Sequence, residues 1–265
     1  EVDFNDIKFG STYSDHMLVA DYKDGKWQDV KVVPFDSMSL SPATSALHYG
    51  QSIFEGLKAY RSESEDNILI FRPEENWKRL NLSAKRMCMP ELPEHIFMDG
   101  LAKLIELDKA WVPNTAGCSL YIRPFMFATD AYIGLKASES YKFMIFTSPV
   151  GSYYSEPVKV KIETHFTRAN IGGTGAAKTA GNYAASFYPA KLAQEQGYHQ
   201  LIWTDGKEHK FIEEAGTMNV MFIIGNTLRT APLSSDTILP GITRKSVLKL
   251  ASEWGLEISE ERVPV

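Results

Sequence analysis

The stretch GGTGAAKTAGNY, residues 172–183, surrounds a single lysine, Lys178, with glycine, alanine and threonine. Before it, apolar residues alternate with charged ones from Val158 to Ile162, which predicts a half-exposed strand. After it, a helical pattern runs from Asn182 to Gln196 and stops at Gly197. The stretch is therefore predicted to be a loop between a strand and a helix, in a chain of mixed α/β class.

The small residues around Lys178 allow two interpretations. They can let a flat ring approach the backbone, and a partly buried lysine amine can form a Schiff base. They can also form a flexible surface loop with a solvated lysine, and the segment alone favours this second interpretation. A nucleotide phosphate loop is disfavoured, because no glycine directly precedes Lys178.

Further strands and helices are predicted on both sides of a segment rich in Gly, Ser and Tyr. Helical patterns are expected at 73–87, 96–111 and 243–254, and strands at 68–71, 119–127, 141–147, 200–204, 219–224 and 256–263. The Gly/Ser/Tyr-rich segment, 149–157, is typical of an interdomain loop. We therefore expect an N-terminal α/β domain over 1–148 and a second domain over 158–265.

Two features of the sequence could bind an anion, namely the start of a predicted helix and an arginine that follows a strand. Pro240 to Arg244 opens a predicted helix whose first amides can bind an anion, or Thr243 simply caps that helix. Arg72 follows a strand and could bind a phosphate, or it could pair with Glu74 or Glu75.

Acidic and aromatic residues supply further candidates. Glu213 and Glu214 precede a small-residue turn, so they are either solvated or positioned to hold a ring nitrogen. Arg123 lies in an alternating strand and needs a partner if it is buried. The aromatic residues Tyr49, Phe54, Tyr121 and Tyr153 would ordinarily belong to a core or its rim.

Composition excludes several other classes of function. The formal charge of −5, from 33 acidic and 28 basic residues among 265, gives no basic field for nucleic acid or an anionic membrane. No apolar run approaches the ~20 residues that span a bilayer. Cys88 and Cys118 are far apart and the histidines are scattered, so neither a disulfide framework nor a metal site is predicted.

The order of these motifs along the chain resembles the branched-chain amino acid aminotransferases, pyridoxal 5'-phosphate enzymes of fold type IV. The resemblance extends from Phe9-Gly10-Ser11 through nearly the whole chain. It is carried by Tyr49-Gly50-Gln51-Ser52-Ile53-Phe54-Glu55-Gly56, Phe71-Arg72-Pro73, Tyr121-Ile122-Arg123-Pro124, the lysine stretch, Glu214-Ala215-Gly216-Thr217-Met218-Asn219 and Leu239-Pro240-Gly241-Ile242-Thr243-Arg244.

The resemblance implies a role for each matched residue. Lys178 is the catalytic lysine that carries pyridoxal phosphate as a Schiff base, Tyr183 donates to the phenolic oxygen of the cofactor, and Glu214 lies at its ring nitrogen. The resemblance also implies a smaller α/β N-terminal domain and a larger mixed C-terminal domain, with the cofactor in the cleft between them. Further implied cofactor-binding residues are Arg72, Arg168, Thr217, Ile242 and Thr243, and implied substrate-binding residues are Tyr49, Phe54, Tyr121, Arg123 and Tyr153.

The implied reaction is transamination between branched-chain L-amino acids (Leu, Ile, Val) and 2-oxoglutarate by a homodimer, in amino-acid biosynthesis. A cytoplasmic location is expected, with a mitochondrial one as the alternative. The sequence ends at Val265, before a Gly-Thr-rich turn of the family, so we expect it to be part of a longer chain. Alternative functions are a D-amino acid aminotransferase, an aminodeoxychorismate lyase, or a non-catalytic binding protein that kept the fold.

Overall fold

The computed structural model of the protein describes residue 7 and residues 10–63, 67–151 and 156–265. The chain divides into two compact units, Glu1–Ser155 and Glu156–Val265. This division falls inside residues 149–157, where the interdomain loop is predicted, while the limits of the predicted domains stay a prediction. Both units contain strands and helices, which confirms the mixed α/β class. Within the described part of the chain, no helix combines the length and the apolar composition needed to cross a membrane.

The first unit is built on one antiparallel sheet. Its strands are β1 His16–Lys23, β2 Lys26–Trp27, β3 Lys31–Pro34, β4 Ser52–Phe54, β5 Leu57–Arg61, β6 Ile68–Ile70, β7 Ser119–Ala128 and β8 Tyr141–Val150, and its helices are α1 Ser45–Tyr49, α2 Pro73–Arg86 and α3 Glu94–Leu107. The described strands lie in the order β2-β1-β8-β7-β5-β6, with β3 beside β1 and β4 beside β7.

Helices α2 and α3 cover one face of this sheet with apolar side chains. Helix α2 begins at Pro73, as predicted, because a first helical turn has no use for the amide that proline lacks. Leu80 and Ala84 of α2 join Phe97 and Leu101 of α3 in a core against the sheet. The prediction of one helix over 96–111 is corrected, since α3 ends at Leu107 and a separate 3-10 turn covers Lys109–Trp111.

The break after α3 coincides with a long-range contact between Asp108 and strand β1. The carboxylate of Asp108 is buried and accepts the backbone N–H of His16 at 3.1 Å. It also lies 2.6 Å from Nδ1 of the same histidine. This anchoring to β1 fixes the backbone at Asp108 outside helical geometry, at φ −101° and ψ 20°.

The second unit contains two smaller sheets. Its strands are β9 Val160–Glu163, β10 Gln200–Thr204, β11 Phe211–Ala215, β12 Met218–Asn219, β13 Met221–Ile224, β14 Thr227–Thr230, β15 Glu257–Glu260 and β16 Val263–Pro264, and its helices are α4 Ala180–Ala184, α5 Phe187–Glu195 and α6 Ile242–Glu253, with a 3-10 turn at Leu233–Ser235. One described sheet has the order β12-β11-β10-β9, with β16 beside β11, and the other has β13-β14-β15. The pairs β9–β10 and β14–β15 are parallel.

The single helix predicted over 182–196 is wrong, because the structure has two helices, α4 and α5. Pro189 explains the interruption, since it has no N–H to bond the carbonyl of Ala185 and is tolerated only in the first turn of a new helix. The hydroxyl of Ser186 instead donates to the carbonyl of Tyr183 at 2.6 Å.

Three strand predictions also need correction. The predicted strand over 219–224 breaks at Val220, whose carbonyl accepts the Thr230 hydroxyl at 2.8 Å instead of a strand partner. The chain passes there from one sheet to the other. The predicted strand over 256–263 likewise divides into β15 and β16. Strand β8 continues to Val150 and pairs it with Ser119, so ordered strand extends into the predicted interdomain loop.

Candidate active site

The lysine of the small-residue stretch is directed at a tyrosine. Residues 171–177 form consecutive turns and bends, and α4 begins two residues after Lys178. The Nζ of Lys178 donates a hydrogen bond to Oη of Tyr183 at 2.8 Å, and it lies 5.1 Å from the tyrosine ring centroid. Both residues are half-buried. The interpretation of Lys178 as a freely solvated surface lysine is therefore wrong.

Glu214 is a buried carboxylate on β11 with two directed donors. Its Oε1 accepts the backbone N–H of Leu239 at 2.7 Å and Nδ2 of Asn219 at 3.2 Å. Burial raises the pKa of Glu214 to about 6, while the charges of Arg168 and Lys178 act in the opposite direction. The positive charge of Lys178 therefore favours the ionised form of this carboxylate. The interpretation of Glu214 as solvated is wrong.

Arg168 lies beside Glu214 rather than in an open position. Its Nε is 3.0 Å from Oε2 of Glu214, but the N–H is not directed along that line, so the contact is an ion pair without a hydrogen bond. Its Nη2 donates to the carbonyl of Gly175 at 3.2 Å and to the carbonyl of Thr237. A single guanidinium thus connects the lysine loop, the buried carboxylate and the segment that precedes α6.

Glycine is required where two of these segments meet. A Cβ on Gly175 would lie 2.4 Å from the carbonyl oxygen of Thr237, and one on Gly241 would lie 2.0 Å from Oδ1 of Asn219. The Thr237 carbonyl belongs to the backbone and cannot move away easily. The side-chain amide of Asn219 is also held in place, because it donates to the carbonyl of Leu239 at 3.0 Å. The glycines of both motifs therefore permit close approach of chain segments.

The start of α6 presents backbone amides without a side-chain cap. Gly241 is the N-cap residue and makes no side-chain cap, and Ile242 and Thr243 begin the helix. The alternative in which Thr243 caps this helix is therefore wrong. Amides of a first helical turn, together with the helix dipole, form a binding site for a phosphate group.

Thr217 lies apart from the contacts described above. It occupies the turn between β11 and β12, next to Gly216 with φ +55°, and it is exposed. Among the described residues, Thr217 has no hydrogen bond to another candidate residue.

Arg72 belongs to the first unit and precedes α2. Its backbone is left-handed, at φ 51° and ψ 49°, which turns the chain from β6 into the helix. Its Nη2 lies 3.5 Å from Oε2 of Glu75, so one of the two ion-pair partners predicted for it is observed. The side chain is 28% exposed, which leaves it accessible.

The first unit also brings three predicted substrate-binding residues together. The guanidinium carbon of Arg123 lies 4.6 Å from the Phe54 ring centroid and 5.2 Å from that of Tyr121. Its Nη2 donates to Oη of Tyr121 at 2.9 Å, whereas its buried Nε has no hydrogen-bond partner within the described residues. Tyr49 is exposed and donates to the carbonyl of Ile133. Tyr153 lies outside the described residues.

Beside Phe54, sequence reasoning missed a buried ion pair. The Nε and Nη2 of Arg79 donate to the two carboxylate oxygens of Glu55, each at 2.8 Å, and Nδ2 of Asn76 donates to Oε2 at 2.7 Å. Glu55 is fully buried. The signal was present, because Asn76 and Arg79 share the buried face of α2 with Leu80. Asn219 was likewise missed as a partner of Glu214, although the quoted motif contains it.

The chemistry of the donors in the second unit fits pyridoxal phosphate. The primary amine of Lys178 can form a Schiff base with an aldehyde, and the hydroxyl of Tyr183 can donate a hydrogen bond to a phenolic oxygen. The buried carboxylate of Glu214 can accept a hydrogen bond from a protonated ring nitrogen. The first turn of α6 suits the phosphate. Among the described residues, no three His, Cys, Asp or Glu side chains are grouped so that they could bind a metal ion.

Comparisons with known proteins point to one family. A family model described as amino-transferase class IV matches residues 52–265. Branched-chain-amino-acid aminotransferase 2 of Bacillus subtilis (strain 168) is 49% identical over 267 residues, which cover 99% of this chain and 73% of that protein.

Solved structures give the same result. The crystal structure of the Escherichia coli branched-chain amino acid aminotransferase is similar with a TM-score of 0.77 and 29% identity, over 94% of this chain and 78% of that one. A branched-chain amino acid aminotransferase from Thermobaculum terrenum, solved in its PLP-form, has a TM-score of 0.76 over 95% of this chain and 78% of that one. At 22% identity, the second likeness concerns the fold.

Proposed function

Since the chain belongs to the class IV aminotransferases, we propose that it transfers the amino group between branched-chain L-amino acids and 2-oxoglutarate with pyridoxal phosphate. One observation carries the assignment of the chemistry to particular residues. It is the Lys178 amine, hydrogen-bonded to Tyr183 at 2.8 Å, in the same unit as the buried carboxylate of Glu214. The relatives do not favour the alternatives of a D-amino acid aminotransferase, a lyase or a binding protein.

We propose that the second unit supplies most of the cofactor site. Lys178 would hold the cofactor covalently, Tyr183 would bind its phenolic oxygen, and Glu214 would bind its ring nitrogen. The amides of Ile242 and Thr243 would bind the phosphate. Arg72 and Thr217 are proposed as further contacts on the basis of the family motifs. Pyridoxal phosphate supplies a conjugated ring that accepts electron density from the bond broken at Cα of the amino acid.

Lys178 is proposed to act as the general base and acid. Once free of the cofactor, the Lys178 amine can accept the proton from Cα of the amino acid and return it at C4′ of the cofactor. This role requires the amine to be neutral at the working pH. The Tyr183 hydroxyl, at 2.8 Å, fixes the direction of the amine. Because one amine stays within reach of both carbons, the proton transfer does not depend on a collision with a base from solution.

Glu214 is proposed to keep a proton on the ring nitrogen. This requires an ionised carboxylate, and burial alone works against ionisation. Arg168, the Leu239 amide and Lys178 each lower the pKa of Glu214 against the effect of burial. Arg168 is therefore proposed to assist the cofactor through Glu214.

Substrate recognition is assigned to the aromatic residues of the first unit. Phe54 and Tyr121 present ring surfaces suited to the side chains of Leu, Ile and Val. Arg123 keeps unused donor capacity, which suits the second carboxylate of 2-oxoglutarate. Tyr49 and Tyr153 are proposed as further lining residues. Apolar pockets discriminate a methylene by only about 10- to 200-fold, so broad activity within the branched-chain group is expected.

A homodimer is also proposed. The first unit exposes the large apolar residues Leu47, Ile133 and Leu135, at 64%, 66% and 86%. Burial of such side chains between two subunits would remove their apolar surface from water, which favours association. Sedimentation velocity would show twice the mass of one chain, whereas a single-chain mass at micromolar concentration would contradict the dimer. The cytoplasmic location stays a prediction.

The function is tested with the visible spectrum of the protein loaded with pyridoxal phosphate. L-Leucine should convert the bound cofactor to its amine form, and 2-oxoglutarate should restore it, whereas D-leucine should do neither. Borohydride reduction followed by peptide mapping should locate the cofactor on Lys178, and Lys178→Ala should lose both the absorbance and the turnover. Full turnover by Lys178→Ala, or conversion by D-leucine alone, would contradict the proposal.

A further inference from the structure

The loop that carries Lys178 is held by the side chain of Asn182. Its Nδ2 donates to the carbonyls of Thr174 and Ala177, at 2.8 Å and 2.9 Å. Its Oδ1 accepts the hydroxyl of Thr174 at 2.7 Å. Three side-chain hydrogen bonds therefore tie the turn before Lys178 to helix α4.

This turn depends on such ties because its sequence provides little rigidity of its own. Gly172 has φ +79°, and glycine loses more conformational freedom on ordering than any other residue. Residues 171–177 belong to neither a helix nor a strand. The carbonyl of Ala177, directly before Lys178, accepts its bond from Asn182. The position of the Lys178 backbone thus follows from the position of this amide.

Asn182 and Tyr183 are neighbours in α4 and act on different parts of the lysine. Tyr183 receives the hydrogen bond of the Lys178 amine, while Asn182 holds the backbone that leads to it. One turn of helix therefore sets both ends of the lysine side chain. Loss of either contact would change the positions that the Lys178 amine can occupy.

We propose that Asn182 is a positioning residue for Lys178, which acts by fixing the backbone of residues 174–177. The inference rests on the proposed role of Lys178 as the cofactor lysine. Asn182 is not proposed to contact cofactor or substrate. Asn182 would affect the reaction by determining which atoms the Lys178 amine can reach during proton transfer.

The test compares variants that remove different bonds of the clamp. Asn182→Asp keeps the shape but removes both donated bonds, and it places negative charge beside the two carbonyls. Thr174→Val removes only the hydroxyl bond to Oδ1. Asn226→Ala is the matched control, since its amide also donates to a backbone carbonyl, that of Gly255 at 3.1 Å, in the same unit.

The first readout is the reaction of the loaded enzyme. Misplacement of a catalytic group by about 1 Å can cost about 100-fold in rate. We expect kcat of Asn182→Asp to fall about 10- to 100-fold with KM for L-leucine changed less than about 3-fold. Thr174→Val should lose about 2- to 5-fold in kcat, and Asn226→Ala should match the wild type.

The second readout needs no activity. In the cofactor-free protein, hydrogen exchange at the amides of residues 175–178 should be about 10-fold faster in Asn182→Asp, with global unfolding shifted much less. If Asn182→Asp lowers only the melting temperature while kcat and local exchange match Asn226→Ala, the residue is merely structural and the inference is overturned. If borohydride places the cofactor on another lysine in the wild type, the proposed function itself fails.

Discussion

Two buried Glu–Arg pairs, one in each unit, differ in how completely the carboxylate is satisfied. In the first unit, Arg79 donates a hydrogen bond to each oxygen of Glu55, and Asn76 adds a third. In the second unit, Glu214 receives directed bonds only at Oε1, and Arg168 approaches Oε2 without aligning its N–H. Within the described part of the chain, Oε2 of Glu214 accepts no hydrogen bond.

This difference agrees with a structural role for the first pair and with the proposed ligand-binding role of Glu214. Glu55 has its acceptor capacity filled by the protein, as the interior of a stable domain requires. Glu214 has both of its directed hydrogen bonds on Oε1, which leaves Oε2 able to accept another donor, and burial raises the pKa of Glu214 to about 6. Under the proposed function, this oxygen would bind the ring nitrogen of the cofactor, and the protein bears the cost of burying the carboxylate.

Breaking the first pair should have the largest effect, and the effect should be on stability. Arg79→Met leaves Glu55 buried without its cation, which typically costs about 3 to 5 kcal/mol in free energy of unfolding. Chemical denaturation of the cofactor-free protein measures it. Lys78→Met is the matched control, since Lys78 adjoins Arg79 on α2 but is 57% exposed, and less than about 1 kcal/mol is expected.

A double variant makes this prediction independent of whether Arg79→Met folds. Glu55→Gln combined with Arg79→Met removes both charges, so it should be more stable than Arg79→Met alone. Equal destabilisation of the single and double variants would show that the charges of Glu55 and Arg79 are not coupled.

Changing the second pair should instead affect the reaction. Glu214→Gln cannot hold a proton on the ring nitrogen by charge, so we expect kcat to fall about 10²- to 10³-fold. Retention of pyridoxal phosphate, measured by dialysis and absorbance, should weaken far less because Lys178 and the phosphate site remain. The exposed residue Glu253 provides the control variant, Glu253→Gln, which should leave kcat unchanged. Parallel loss of cofactor and turnover in Glu214→Gln would assign Glu214 a structural role.

The same contrast explains which features could be predicted from the sequence. Helix α2 and strand β10 were predicted because periodicity and a first-turn proline are local signals. The break between α4 and α5 was not predicted, although Pro189 lacks the amide that one continuous helix would need at that position.

The partners of Glu55 and Glu214 cannot be predicted from local sequence patterns. Arg79 is 24 residues from Glu55, and the Leu239 amide is 25 residues from Glu214, so only folding brings them together. Family resemblance predicts Glu214 as a cofactor-binding residue but does not predict that Arg168 pairs with it. A backbone donor such as Leu239 has no sequence signature.

The smallest expected effect is the pH dependence of stability that Glu214 contributes in the cofactor-free protein. Its folded pKa of about 6 lies above the ordinary value of 4.5, so the folded state binds the proton more tightly than the unfolded one. The associated stability is fully present below pH 4.5 and is lost as pH rises through 6, by about 2 kcal/mol. Denaturation between pH 4 and 7 should therefore show a steeper decline for the wild type than for Glu214→Gln. Arg168→Met should extend that decline to higher pH, because Arg168 lowers the pKa of Glu214. Identical slopes in all three proteins would mean that the carboxylate is ionised as easily as one in water, and its contrast with Glu55 would then lie in geometry alone.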